Sequence, residues 1–111
     1  MRPVRTALTG LGASAPIPLD INQSPFNVSV AVALSAGANL TYTVEHTYDD
    51  VYAAGFDPST AVWFSQAGLT TKTTSLDGNY NYPVRAVRLN ITLYTSGQAT
   101  MTIIQAGMPG R

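Results

Sequence analysis

Residues 25–34 read Pro25-Phe26-Asn27-Val28-Ser29-Val30-Ala31-Val32-Ala33-Leu34. Phe26, Val28, Val30, Val32 and Leu34 alternate with small or polar residues. Successive side chains of a strand point to opposite faces, so this period of two predicts a β-strand with one face in a core. After Ser35-Ala36-Gly37-Ala38, which reads as a turn, the pattern resumes. Leu40, Tyr42, Val44, His46 and Tyr48 fall on one face, and Thr41, Thr43, Glu45 and Thr47 on the other. The two segments together read as a hairpin.

Working outward, the same alternation recurs near the C-terminus. Tyr80–Tyr94 reads as a long strand entered through Pro83, with Arg85, Val87, Leu89, Ile91 and Leu93 sharing a face. Thr95-Ser96-Gly97 reads as a hairpin turn into Gln98–Gln105, where Ala99, Met101 and Ile103 alternate with Thr100, Thr102 and Ile104. Shorter strands are expected at Ala61–Ser65 and Leu69–Ser75, with turns at Asp57-Pro58-Ser59 and Asp77-Gly78-Asn79. Residues 1–24 hold Pro3, Gly10, Gly12, Pro16 and Pro18. They read as an extended N-terminal arm with one short edge strand near Ile17–Ile21, because proline is tolerated at strand edges. The expected architecture is all-β: an antiparallel β-sandwich or jelly roll of about seven to eight strands over residues 25–111, preceded by the arm at 1–24.

The chain has 111 residues, enough for one domain, and 45% of them are hydrophobic while only 11% are charged. That charge content is less than half the roughly 25% usual for a soluble domain. Six basic and six acidic residues give a formal net charge of zero. A surface of uncharged polar groups is cheaper to desolvate than a charged one, so the composition points to burial against other protein. Six dispersed cations form no stripe for phosphates, and the reading is that nucleic acid is not a partner. No apolar stretch approaches the ~20 residues of a membrane helix, so no membrane partner is expected. The glycines and prolines after Arg2 and Arg5 break a signal-peptide core, so synthesis in the cytoplasm is expected.

Chemistry-bearing motifs are sparse. There is no cysteine, and His46 is the single histidine. Its neighbour Glu45 falls on the opposite strand face and cannot orient it. His46 therefore reads as a hydrogen-bonded histidine on a partly buried strand, not as a catalytic base. Asp49, Asp50 and Asp57 read as turn and capping residues, since the ligand spacing of a calcium loop is absent. Three Asn-x-Ser/Thr triplets, at Asn27, Asn39 and Asn90, read as accidents of a chain rich in these residues. No catalytic residue, no metal ligand and no cofactor site is predicted. Tyr42, Tyr48, Tyr52, Trp63, Phe64, Tyr80 and Tyr82 suit a sugar-stacking platform or a protein interface, while Trp63 reads first as a core or sheet-packing residue and Asn79-Tyr80-Asn81-Tyr82 as an exposed, packed edge.

The order Tyr42-Thr43-Val44-Glu45-His46-Thr47, Asp49-Asp50-Val51, Ala61-Val62-Trp63-Phe64 and Tyr82-Pro83-Val84-Arg85-Ala86-Val87-Arg88-Leu89-Asn90 resembles a family of short tailed-phage virion structural proteins. The hairpin Thr95-Ser96-Gly97 and Met101-Thr102-Ile103-Ile104-Gln105 complete the resemblance, which spans roughly residues 26–106. It implies a virion component; the lack of a catalytic constellation in the residues themselves is why no enzymatic activity is expected. The leading expectation is a capsid decoration, or cement, protein that binds the phage major capsid protein or other virion proteins and forms a homo-oligomer. A tail, neck or fibre-associated protein is the alternative within phage biology. A carbohydrate-binding β-sandwich is the alternative of another class. The candidate interface residues are Arg2, Arg5, Pro16 and Pro18 on the arm, which would add a strand to a neighbouring sheet. Tyr80, Tyr82, Arg85 and Arg88 complete the set, with the two arginines expected on opposite faces.

Overall fold

The computed structural model describes residues 3–21 and 26–105. Among the described residues nine strands form two antiparallel sheets, one of four and one of five strands. They are β1 (Val4–Leu8), β2 (Gly12–Ala13), β3 (Ile17–Pro18), β4 (Val28–Leu34), β5 (Asn39–Thr47), β6 (Trp63–Ser65), β7 (Leu76–Tyr80), β8 (Ala86–Ser96) and β9 (Ala99–Gln105). The first sheet, sheet A, runs β1-β9-β4-β7. The second, sheet B, runs β2-β8-β5-β6, with β3 also on β8. Taking β2 and β3 as one interrupted strand gives eight strands in the order of a jelly roll.

The core lies between the sheets. Val28, Val30 and Val32 of β4 and Met101 and Ile103 of β9 meet Leu40, Tyr42 and Val44 of β5 and Val87, Leu89 and Ile91 of β8. Ser29, Ala31 and Ala33 face solvent. The period-two reading of β4, β5 and β9 thus assigns the inner face correctly. Each fully buried aliphatic side chain contributes about 1.5–3 kcal/mol of transfer free energy. The matching alternation on opposed sheets is what makes the sandwich stable.

The two expected hairpins are not hairpins. β4 pairs with β9 and β7, while β5 pairs with β8 and β6. The turns at Ser35–Ala38 and Gly97-Gln98 therefore carry the chain from one sheet to the other. The two arches nest: Ser35 N donates to Gln98 O at 2.9 Å, and Gln98 N donates to the Ser35 hydroxyl at 2.9 Å. Two-residue and four-residue connections fit either geometry, and burial of both inner faces selects the arch.

The N-terminal segment is also corrected. It does not stand apart as an arm: β1 forms the edge of sheet A on β9, and β2 and β3 line the edge of β8 in sheet B. Ile17 and Leu19 are buried, and Leu8 packs against the core. The Gln105 side chain bonds both backbone groups of Asp20, at 3.0 Å and 2.7 Å. Spaced apolar side chains and two unfilled strand edges account for this docking.

Three further boundaries move. Leu69–Ser75 is not a strand: Ala67–Leu69 is a 3-10 turn that buries Leu69, and only Lys72 bridges, to Tyr42. Asp77-Gly78-Asn79 is not a turn but the middle of β7, opposite Ala31, Val30 and Ser29. Glycine at 78 leaves room for Leu69, whose Cδ1 a Cβ would meet at 3.4 Å. The long strand begins at Ala86, because Asn81–Arg85 crosses between sheets. A register shift between Thr41 and Tyr42 then turns Leu93 out, leaving it 66% exposed, and packs Tyr94 against the core instead.

Candidate functional site

At the end of the sandwich opposite the nested arches, five rings cluster. The alternation of β5 places His46 on the inner face, and the register sets Phe64 of β6 beside it. β7 delivers Tyr80 from the other sheet, and the chain leaving each strand adds Tyr48 and Tyr82. The His46 ring lies 5.0 Å from Tyr80, 5.7 Å from Tyr48, and 6.0 Å from both Phe64 and Tyr82. Tyr48 and Phe64 meet at 5.6 Å, and Tyr80 and Tyr82 at 5.5 Å. Most of these contacts are edge-to-face, a preferred aromatic geometry.

The cluster has a floor and a rim. His46 and Tyr80 are 4% and 0% exposed. One hydrogen bond joins them, His46 Nδ1 lying 2.9 Å from the Tyr80 hydroxyl. Tyr48, Phe64 and Tyr82 form the rim at 53%, 48% and 41% exposed. Three large rings this open around one buried floor are an uncovered aromatic patch. Burial lowers the pKa of His46 below 6.5 and raises that of Tyr82, to which the nearby Tyr48 phenol adds. Burial raises the Tyr80 phenol further, with Tyr82 and Tyr48 contributing. The floor is therefore a neutral pair at ordinary pH.

The expected aromatic set divides four ways. Tyr48, Phe64, Tyr80 and Tyr82 come together, and His46 joins them, which the one-dimensional pattern of β5 did not reveal. Tyr42 belongs to the core, its hydroxyl donating to Thr74 O at 2.6 Å. Trp63 lies on the outer face of sheet B, where the Arg88 guanidinium sits 4.0 Å over its ring. Tyr52 stands in the β5–β6 loop, 75% exposed.

The other candidate residues are placed as follows. Arg2 lies outside the described residues. Arg5 is exposed on β1, Pro16 is half-buried, and Pro18 is exposed in β3 opposite Ala86. Tyr80 is fully buried, so Tyr82 alone of that pair offers a ring to a partner. Arg85 pairs with Asp50 at 2.6 Å, and Arg88 with Glu45 at 2.7 Å. Both arginines are thus engaged within the chain. Glu45 points away from His46, onto the outer face with Arg88.

The loop aspartates work as turn residues. Asp57 accepts from Ser59 N and Oγ, Asp50 from Tyr52 N, and Asp49 from Val62 N. These bonds hold Asp57 and Asp50 below the usual carboxylate range, with Arg85 adding to the effect on Asp50. Among the described residues no group of three or more His, Cys, Asp or Glu could hold a metal ion. No helix among them is long and apolar enough to cross a membrane.

No protein-family model matches the chain, and no curated protein matches it. Among solved structures it is similar to one described as Bacillus endospore appendages that form a family of disulfide-linked pili. The two share 19% identity over 96% of this chain and 85% of that one, with a TM-score of 0.49.

Proposed function

We propose that this chain is a structural protein of a tailed-phage virion, bound outside the assembled head as a decoration protein. The observation that carries this reading is the open aromatic patch of Tyr48, Phe64 and Tyr82. Aromatic rings are the side chains most enriched in interface anchors, and a patch at the end of a rigid sandwich is already ordered for contact. The low charge of the rest of the chain supports the same role, because little desolvation opposes contact. The order of residues from Tyr42 to Gln105 supports the phage assignment by its resemblance to short virion proteins.

The mechanism is stabilisation by linkage. A subunit that binds only the assembled shell lowers the free energy of the intact particle by RT ln(1 + L/Kd) per site, where L is its free concentration. Many copies on one lattice make modest contacts effective together.

The test is co-sedimentation of the purified chain with DNA-filled heads lacking it, scored with heat release of the DNA. The wild type is expected to bind and raise the release temperature. A Tyr48→Ser, Phe64→Ser, Tyr82→Ser variant is expected to bind at least about tenfold more weakly, the equivalent of ~1.4 kcal/mol. Binding to tails but not heads would move the protein to the tail, neck or fibre. Binding to neither, with fluorescence changes on a glycan panel, would replace this reading by a carbohydrate-binding one.

A further inference from the structure

The outer face of sheet A carries a second surface, distinct from the aromatic patch. Arg5 of β1 is opposite Thr102 of β9, Thr102 is opposite Ala31 of β4, and Ala31 is opposite Asp77 of β7. These four residues form one cross-strand row. Their chain neighbours Met101, Ile103, Val30 and Val32 are buried inward, so the row faces outward. Arg5 stands at one edge of the sheet and Asp77 at the other, both exposed. Three strand spacings separate them, roughly 14 Å, too far to pair with each other.

Neither charge has a partner among the described residues. Arg85 and Arg88, by contrast, are both in ion pairs. Between Arg5 and Asp77 the row is uncharged, formed by Thr102 and Ala31. Beside Asp77, against Ser29 and Asn79 with Ile104 at the rim, lies a shallow groove of ≈ 290 Å³.

We propose that this face is a contact between two copies of the chain, related by a two-fold axis parallel to the strands. That axis reverses the cross-strand order while keeping the row. It lays Arg5 of each copy over Asp77 of the other, at the groove, and the two ion pairs close together. An axis perpendicular to the strands would stack Arg5 on Arg5, so the charges select one orientation. The interface is isologous, as closed two-fold dimers are. A formal net charge of zero removes the long-range repulsion that would oppose it.

The contact is small. Four strands at ~4.8 Å spacing and five residues at ~3.4 Å give a face of roughly 300 Å² per copy. A standard interface covers about 800 Å² per partner. The dimer is accordingly weak in free solution and is favoured where copies are concentrated on a surface. The inference holds whether or not that surface is a virion.

The test is sedimentation velocity of the full chain from about 10 μM to 1 mM, at low and high salt. The wild type is expected to dimerise with rising concentration, and less so at high salt. Arg5→Asp and Asp77→Arg are each expected to weaken dimerisation by at least about tenfold. The double swap is expected to restore it. Trp63 fluorescence and circular dichroism identify any variant that has lost its fold, and alanine at the same two positions then replaces it. A wild type that stays monomeric at 1 mM overturns the proposal. So do single swaps that dimerise like the wild type, or a double swap that does not recover.

Discussion

His46 Nδ1 lies 2.9 Å from the hydroxyl of Tyr80, and this buried hydrogen bond joins β5 of one sheet to β7 of the other. Both side chains are almost wholly buried, at 4% and 0% exposed, so each of the two bonded atoms depends on the other. The bond forms the floor beneath Tyr48, Phe64 and Tyr82, and the order of the patch rests on it.

Tyr80→Phe keeps the ring and removes the hydroxyl, leaving His46 Nδ1 buried without its partner. The expected loss of stability is about 1–3 kcal/mol, read as a fall in the urea midpoint. Tyr82→Phe, which removes a hydroxyl at the exposed rim, is expected to stay within ~0.5 kcal/mol of wild type. Equal effects for the two would contradict the account of the floor.

The same burial gives a pH dependence. His46 has a folded pKa below 6.5, so over the window beneath 6.5 the unfolded chain binds the proton that the folded one refuses. Its contribution to stability is complete above 6.5 and is lost as pH falls through that window. Tyr80 and Tyr82, which face it, have phenols raised above 10 and carry no charge in this window, and Phe64 has no titratable group. Asp50 and Asp57 titrate below 3.8 and act only in more acidic solution. Unfolding free energy is expected to fall as pH drops below 6.5, and a His46→Gln variant is expected to show less slope there. Parallel wild-type and variant curves would remove His46 as the cause.

Gly97 sits where the two arches nest. Its φ is +97°, and a Cβ there would lie 2.4 Å from Ala38 Cβ and 2.6 Å from Ala38 Cα. Gly97→Ala therefore combines backbone strain with a clash against backbone, and about 2–5 kcal/mol of destabilisation is expected. Gly37 also has a positive φ, of +72°, but open space around it. Gly37→Ala is expected to cost only ~1 kcal/mol. Thermal unfolding of the two variants side by side checks the difference.

On the outer face of sheet B, Arg88 bonds Glu45 through Nε at 2.7 Å and lies 4.0 Å over Trp63. Arg88→Lys keeps the charge but loses the planar fork that does both at once. A cost of about 1–2 kcal/mol is expected, because both partners of the ion pair are largely buried. Trp63 is the single tryptophan, so its emission should shift as the guanidinium leaves its ring. An unchanged spectrum and midpoint would show that the stacking contributes nothing.

Part of the architecture is written locally. The alternation in Val28–Leu34, Leu40–His46 and Ala99–Gln105 settles which side chains enter the core, because side-chain direction along a strand has a period of two whatever the strand pairs with. The all-β class and the opposition of Glu45 and His46 on two faces follow from the same property. The aromatic residues of the patch could be named from the chain, but not separated from Tyr42, Trp63 and Tyr52.

Pairing is a different matter, since it depends on residues far apart in the chain. Val28–Leu34 and Asn39–Thr47 have the same pattern whether they form a hairpin or an arch. Only burial of two inner faces against each other sends them to opposite sheets. The same demand draws Val4–Leu8 and Ile17–Pro18 onto open strand edges, and makes Asp77-Gly78-Asn79 a strand because Leu69 packs over Gly78. Sequence by itself determined the class of fold and which side chains face inward. Tertiary structure decided which strands are neighbours, and so which rings share the open end and which charges share a row, because hydrogen-bond satisfaction and core burial are settled across the whole chain at once.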